Sequence, residues 1–159
     1  MKTMRLLCII LAVLALSGCQ YDPYADNMTT TQPKIADVVG TYRFEQQTVV
    51  GDSIDSKARH AVIRLNADGT VAFSNVPHFS DQFEAHFVGF ISAKGKWKTN
   101  IVGTVAKING DKDEWGIALT QVPEDLTSIG LMGDEPPYKL LITYGDPDEG
   151  SVMIFSKIK

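Results

Sequence analysis

Four side chains able to bind a metal ion or move a proton fall within nine residues: His78, Asp81, Glu84 and His86. Imidazoles and carboxylates ligate zinc-like ions, and an open coordination position would activate water. The spacing matches no established metal motif, and the two histidines become neighbours only if the stretch turns, so a solvated loop or strand end is the simpler reading. Asp111, Asp113 and Glu114 have the acidic character of a calcium loop but lack its central glycine and closing glutamate. Asp146, Asp148 and Glu149 offer paired carboxylates, although Pro147 and Gly150 beside them mark a hairpin turn. His60 reads as a partly exposed strand residue. No serine stands in a nucleophile-elbow setting and no phosphate-binding glycine loop occurs. The expectation is a domain without catalytic residues, cofactor or metal.

Trp97, Trp115, Tyr138 and Phe155 form a second set. Aromatic faces hold apolar or sugar-like ligands well. The same rings serve as core when nothing hollow lies beside them, so their role depends on the elements that carry them.

The chain contains two cysteines, Cys8 and Cys19. Lys2 and Arg5 precede an uncharged apolar run from Leu6 to Leu16. That run is shorter than the roughly 20 residues a membrane-spanning helix needs, and it reads as an export signal. Leu16, Ser17, Gly18 and Cys19 then resemble the lipobox that signal peptidase II reads; an ordinary secretory signal prefers a small residue where Leu16 stands. The resemblance implies removal of residues 1–18, lipid on Cys19 and a membrane as partner. At about 0.8 kcal/mol per buried CH₂, several acyl chains hold far more firmly than one. Gln20, rather than Asp, after the cysteine points to the outer membrane, facing the periplasm.

The chain after cleavage has no thiol left, which excludes a disulfide framework, a thiolate metal site and a cysteine nucleophile. It keeps thirteen basic residues against nineteen acidic ones, a net charge near minus 6. That balance argues against a general nucleic-acid surface.

Residues 19–34 are polar, rich in Thr and Asp, and without a periodic apolar face, so they are expected to form a flexible tether. The fifteen residues from Gln20 to Lys34 reach about 50 Å when stretched. From Ile35 to the end the pattern changes to short, often alternating runs of Val, Ile, Thr, Tyr and Phe separated by turn residues, which predicts one all-β domain over 35–159. Strands are expected near 38–49, 60–66, 70–76, 84–91, 94–99, 103–109, 114–121, 138–145 and 150–158, nine candidates for eight or nine strands. Asn66 to Gly69 predicts a tight hairpin and Gly145 to Gly150 a second. One short helix is expected from Pro123, inside a long loop spanning 122–137. Residues such as Val152 and Ile154 alternating with Met153 and Phe155 make a strand apolar on both faces. A small antiparallel up-and-down β-barrel accommodates this pattern, and an eight-stranded one is either just filled by side chains or holds one small ligand.

Gly40, Thr41 and Tyr42 opening the first strand, with Gly95, Lys96 and Trp97 later, resemble lipocalin-like, calycin-type barrels. Tyr42 stands where those proteins carry Trp, and Trp97 falls mid-chain, so no ligand residue transfers. Over residues 61–157 the chain also resembles a family of bacterial lipoproteins and exported proteins without assigned activity, on Asn66, Asp68, Gly69, Thr70, Val76, Pro77, Gly95, Trp97, Trp115, Gly116, Ile117, Leu119, Pro136, Pro137, Tyr138, Gly145, Asp146, Pro147 and Asp148. The resulting expectation is a lipid-anchored, lipocalin-like, non-enzymatic domain binding a small apolar or envelope-derived ligand. The alternative is a protein-interaction module, an inhibitor or envelope assembly factor, acting through the 77–86 and 122–137 loops.

Overall fold

The computed structural model describes residues 23–49, 55–79, 86–107, 109–123, 126–145 and 150–158. Eight strands run in sequence order: β1 (Gly40–Gln47), β2 (Val62–Leu65), β3 (Thr70–Phe79), β4 (Phe87–Val105), β5 (Lys112–Thr120), β6 (Ser128–Met132), β7 (Lys139–Thr143) and β8 (Val152–Ile158). Each pairs antiparallel with its sequence neighbour, and β1 pairs with β8 to close the barrel. The all-β up-and-down barrel expected from the alternating pattern is therefore the fold. Among the described residues the helices are single turns, α1 (Ile35–Val38) and α2 (Asp55–Ala58), with a 3-10 turn at Ala25–Asn27.

The Asn66–Gly69 hairpin forms as its residues require. Gly69 takes φ 79°, Asn66 N–H donates to Thr70 O at 2.9 Å, and Asp68 accepts from the Thr70 N–H at 2.9 Å and from its hydroxyl at 2.6 Å.

Two expectations about elements differ. The segments expected at 84–91, 94–99 and 103–109 are one 19-residue strand, β4. A glycine within a strand marks close backbone approach. A Cβ on Gly95 would lie 2.6 Å from Thr120 O and 2.4 Å from Val122 Cγ1. The missing side chain lets β5 cross over β4, which pairs with β3 up to Lys96 and with β5 from Lys96 onward. Conversely, the loop expected at 122–137 contains β6. Residues 124–125 of the helix expected from Pro123 lie outside the described residues; Leu126 N–H donates to Pro123 O at 2.9 Å, and a strand follows from Ser128. Ile129 and Leu131 alternate inward over only five residues, too short a run to stand out beside Gly130 and Gly133.

Period-two alternation sends one set of side chains into the barrel. Tyr42, Ile63 and Phe73 face one another across β1, β2 and β3, while Leu131, Leu140, Phe155 and Phe44 continue the ring through β6, β7, β8 and back to β1. These residues belong to one apolar cluster with Ile117, Ile129, Trp97 and Leu119. Tyr42, Ile63, Leu131, Leu140 and Phe155 have no exposed surface. Side chains thus occupy the interior, as an eight-stranded barrel permits.

Val38 of α1 joins this cluster, and Tyr42 donates its hydroxyl proton to Val38 O at 2.5 Å. Burial pushes the Tyr42 phenol well above its ordinary range. The folded state therefore holds that proton more tightly than the unfolded chain, whose phenol titrates near 10. The contribution to stability is complete below about pH 10 and is lost as the pH rises beyond it. Tyr42→Phe is expected to cost about 1–2 kcal/mol at neutral pH by leaving Val38 O unpaired, and to flatten the alkaline decline in urea-unfolding free energy between pH 9 and 11.

A second cluster lies outside the wall. Leu141, Val152 and Ile154 point outward from β7 and β8 and pack with Met28 and Val105, with Tyr24 and Met132 against them. Residues 27–29 reach this position by entering the gap where β5 and β6 part. Thr29 N–H donates to Leu131 O at 2.9 Å, Trp115 N–H to Thr29 O at 2.8 Å, and Gly133 N–H to Asn27 O at 2.8 Å. Met28 pairs with Met132, and the Thr29 hydroxyl donates to Gly133 O at 2.7 Å. The free tether expected over 19–34 is thus different from Pro23 onward, since Met28 and Thr29 are 2 % and 1 % exposed. This cover also explains why β8 is apolar on both faces. Cys19 and the signal residues 1–18 lie outside the described residues.

Candidate functional site

One end of the barrel carries the connections β1 to β2, β3 to β4, β5 to β6 and β7 to β8. At this mouth the rings of Phe79, Phe87, Phe90 and Tyr144 form a contiguous group. Phe79 meets Phe87 edge-on at 5.8 Å between centroids, Phe87 meets Phe90 at 5.2 Å, and Phe79 lies 4.8 Å from Tyr144. Such geometries suit the quadrupoles of aromatic rings. Phe79 and Tyr144 are buried, Phe87 and Phe90 half-buried, and Val88 between them is 57 % exposed. The group grades from core to solvent, and apolar surface of that kind takes apolar ligand groups.

The register places this group. β3 and β4 slip relative to one another between His78 and Phe79, so that Phe79 comes opposite Phe87. Irregularities of this type re-aim side chains at barrel rims. Tyr144 follows β7 directly, and its N–H donates to Ser151 O at 2.9 Å across the hairpin. No residue of this aromatic group was singled out by composition or motif. Phe79 lies within the His78–His86 stretch and Phe87 directly follows it, and that proximity was the available signal.

The expected site residues sit as follows. Phe155 is wholly enclosed and meets Phe44 edge-on at 5.9 Å. Trp97 is 7 % exposed, and its indole N–H donates to Asn66 O at 3.0 Å, which ties the ring to the β2–β3 hairpin at the opposite end. Tyr138 is buried in the same cluster, and burial, then Asp37 and Glu135, push its phenol upward. These three rings occupy core positions. Trp115 alone of the four is half-exposed, opposite Ile101 on the β4–β5 hairpin. The structure does not gather the four around one space.

Of the metal candidates, His78 is half-buried in β3 opposite Gly89 and His86 is exposed just before β4. Asp81 and Glu84 lie outside the described residues. Asp111, Asp113 and Glu114 run along the start of β5, with Asp111 and Asp113 exposed and the Glu114 carboxylate over Gly103 and Gly130. Among the described residues no three His, Cys, Asp or Glu side chains come together as a metal site would require. Asp146, Asp148 and Glu149 fall outside the described residues, and His60 is an exposed turn residue.

No family model, curated protein or solved structure matches the chain.

Proposed function

We propose that the chain is a lipid-anchored protein of the bacterial envelope whose barrel is a non-enzymatic binding module. It takes an apolar group of a small or envelope-derived ligand at the aromatic mouth rather than deep in the lumen. The observation that carries this reading is the half-exposed pair Phe87 and Phe90, backed by Phe79 and Tyr144, at one end of a barrel whose interior is occupied by side chains. The lipobox-like Leu16 to Cys19 supports the anchor.

Two measurements test the two halves separately. The chain from residue 19 with Cys19→Ser, titrated with N-phenyl-1-naphthylamine, is expected to enhance the probe's fluorescence. The double variant Phe87→Ala, Phe90→Ala should bind it at least tenfold more weakly, and a parent protein that gives no enhancement sinks the mouth as a binding site. In cells, globomycin should accumulate precursor and Cys19→Ser should release the protein from membranes; unchanged membrane association would remove the anchor.

The interaction-module reading uses the same rim, since the 77–86 segment contributes Phe79 to it. A photo-crosslinker at Val88 distinguishes the two. One dominant protein adduct in intact cells favours a protein partner, and its absence alongside probe binding favours the small ligand.

A further inference from the structure

Outside the mouth, charge is distributed unevenly over the barrel wall. Lys94, Lys96 and Lys98 occupy alternate positions of β4 and are all exposed, on the face opposite the inward Ala93, Gly95 and Trp97. Successive cations therefore stand about 7 Å apart along the strand. Arg64 on β2 joins them, because Arg64 pairs with Ala72 and Ala72 with Lys94, putting Arg64 and Lys94 in one row about 10 Å apart. Arg43 of β1 lies one step along the same outer face, paired with Val62. The residues between are small and uncharged: Thr70, Ala72 and Ser74 on β3, Ala118 and Thr120 on β5. None of these five cations makes an ion pair among the described residues. Among the described carboxylates, Asp68 is engaged by Thr70, and Glu45 by Lys139 at 2.8 Å and by Ser156. A protein with six more acids than bases after cleavage thus gathers, on the outer wall from β1 to β4, five cations without an ion pair among the described residues.

We propose that this face binds an extended acidic polysaccharide. A folded protein partner would need apolar or aromatic anchors at the centre of its footprint, whereas the centre of this wall is Thr70, Ala72 and Ser74, with Val62 and Ile158 only toward its β1 side. Lysines act as hydrated point charges without the paired geometry of a guanidinium, which suits anionic groups repeating along a flexible chain. The choice of a polysaccharide over a lipid surface rests on the anchor proposed above. Cys19 precedes Pro23 by four residues, a reach of about 14 Å at most, and Tyr24 and Met28 pack with the outward Leu141, Val152 and Ile154 of β7 and β8. In a ring of eight strands, β3 lies diametrically opposite β7. The cationic wall therefore faces away from the bilayer that holds the lipid.

The chain from residue 19 with Cys19→Ser is tested against polygalacturonate, with fully methyl-esterified polygalacturonate as the uncharged counterpart. Binding is expected to the acid form only, weakening steeply between 20 and 200 mM salt as neutralised charges release counterions. The triple variant Lys94→Glu, Lys96→Glu, Lys98→Glu should lose at least tenfold in affinity. Lys57→Glu, Arg59→Glu, Lys112→Glu changes net charge equally at other exposed positions and should retain binding within about threefold. A triple Lys→Gln variant at 94, 96 and 98, with circular dichroism and urea midpoint matching the parent, guards against misfolding and should also lose binding. Equal loss in both Glu triples, no binding by the parent at low salt, or binding to phosphatidylglycerol vesicles in place of the glycan would each overturn the proposal. Because this protein is soluble and unlipidated, failure here leaves the fractionation test of the anchor independent.

Discussion

Met28→Ala should destabilise the folded chain by about 2–5 kcal/mol, the usual result of truncating a buried methionine, although Met28 stands in a stretch that reads as a linker. Its side chain is 2 % exposed, and its Cε lies 2.7 Å from where a Cβ on Gly130 would be. It packs with Val105, Leu141, Val152 and Ile154, so the truncation opens a void between the N-terminal segment and the barrel wall. Domains of this size are stable by only about 5–15 kcal/mol in total, which makes the loss a large fraction. Urea unfolding followed by tryptophan emission measures it. Gln32→Ala, at an exposed position of the same segment, should change stability by no more than about 0.5 kcal/mol. Equal, negligible effects at both positions would mean that the segment contributes nothing to the fold.

Phe155→Ala is expected to cost about 3–5 kcal/mol while leaving binding of N-phenyl-1-naphthylamine by the surviving folded fraction within about threefold of the parent. The ring is enclosed between Leu140 of β7 and Phe44 of β1, and its edge-on contact with Phe44 is lost with it. A lumen-lining ligand residue would show the opposite split, with modest destabilisation and a large loss of probe binding. Comparing this variant with Phe87→Ala, Phe90→Ala therefore separates a filled barrel with a binding mouth from a hollow one. Stability should follow residue 155 and probe binding should follow residues 87 and 90.

The candidate site was far less legible than the fold. The stretch from His78 to His86 drew attention through its histidines and acids, yet the structure sets Phe79, Phe87, Phe90 and Tyr144 together at that rim. Tyr144, just beyond β7, is more than fifty residues away in the chain, and a local reading has no means of placing it there. Trp97 and Phe155 drew attention as large aromatics, but whether such a ring lines a space or fills it depends on what stands opposite. Those neighbours are set by cross-strand register. The stripe of Lys94, Lys96 and Lys98 is visible as alternation along one strand, whereas Arg64 joins it only through the pairing of β2 with β3 and β3 with β4.

By itself, the chain's local pattern determined the all-β class, the up-and-down order and the Asn66–Gly69 hairpin. Period-two burial and turn chemistry are short-range properties written into neighbouring residues. Tertiary structure alone decided that β4 is continuous, that Ser128–Met132 is a strand, and that Asn27 to Thr29 belong to the sheet. Each of these depends on a partner distant in sequence: Thr120 and Val122 over Gly95, β5 and β7 on either side of β6, and Gly133, 104 residues from the Thr29 hydroxyl that donates to it. A backbone group finds such a partner only once the barrel has closed, so no window of residues around it carries the signal.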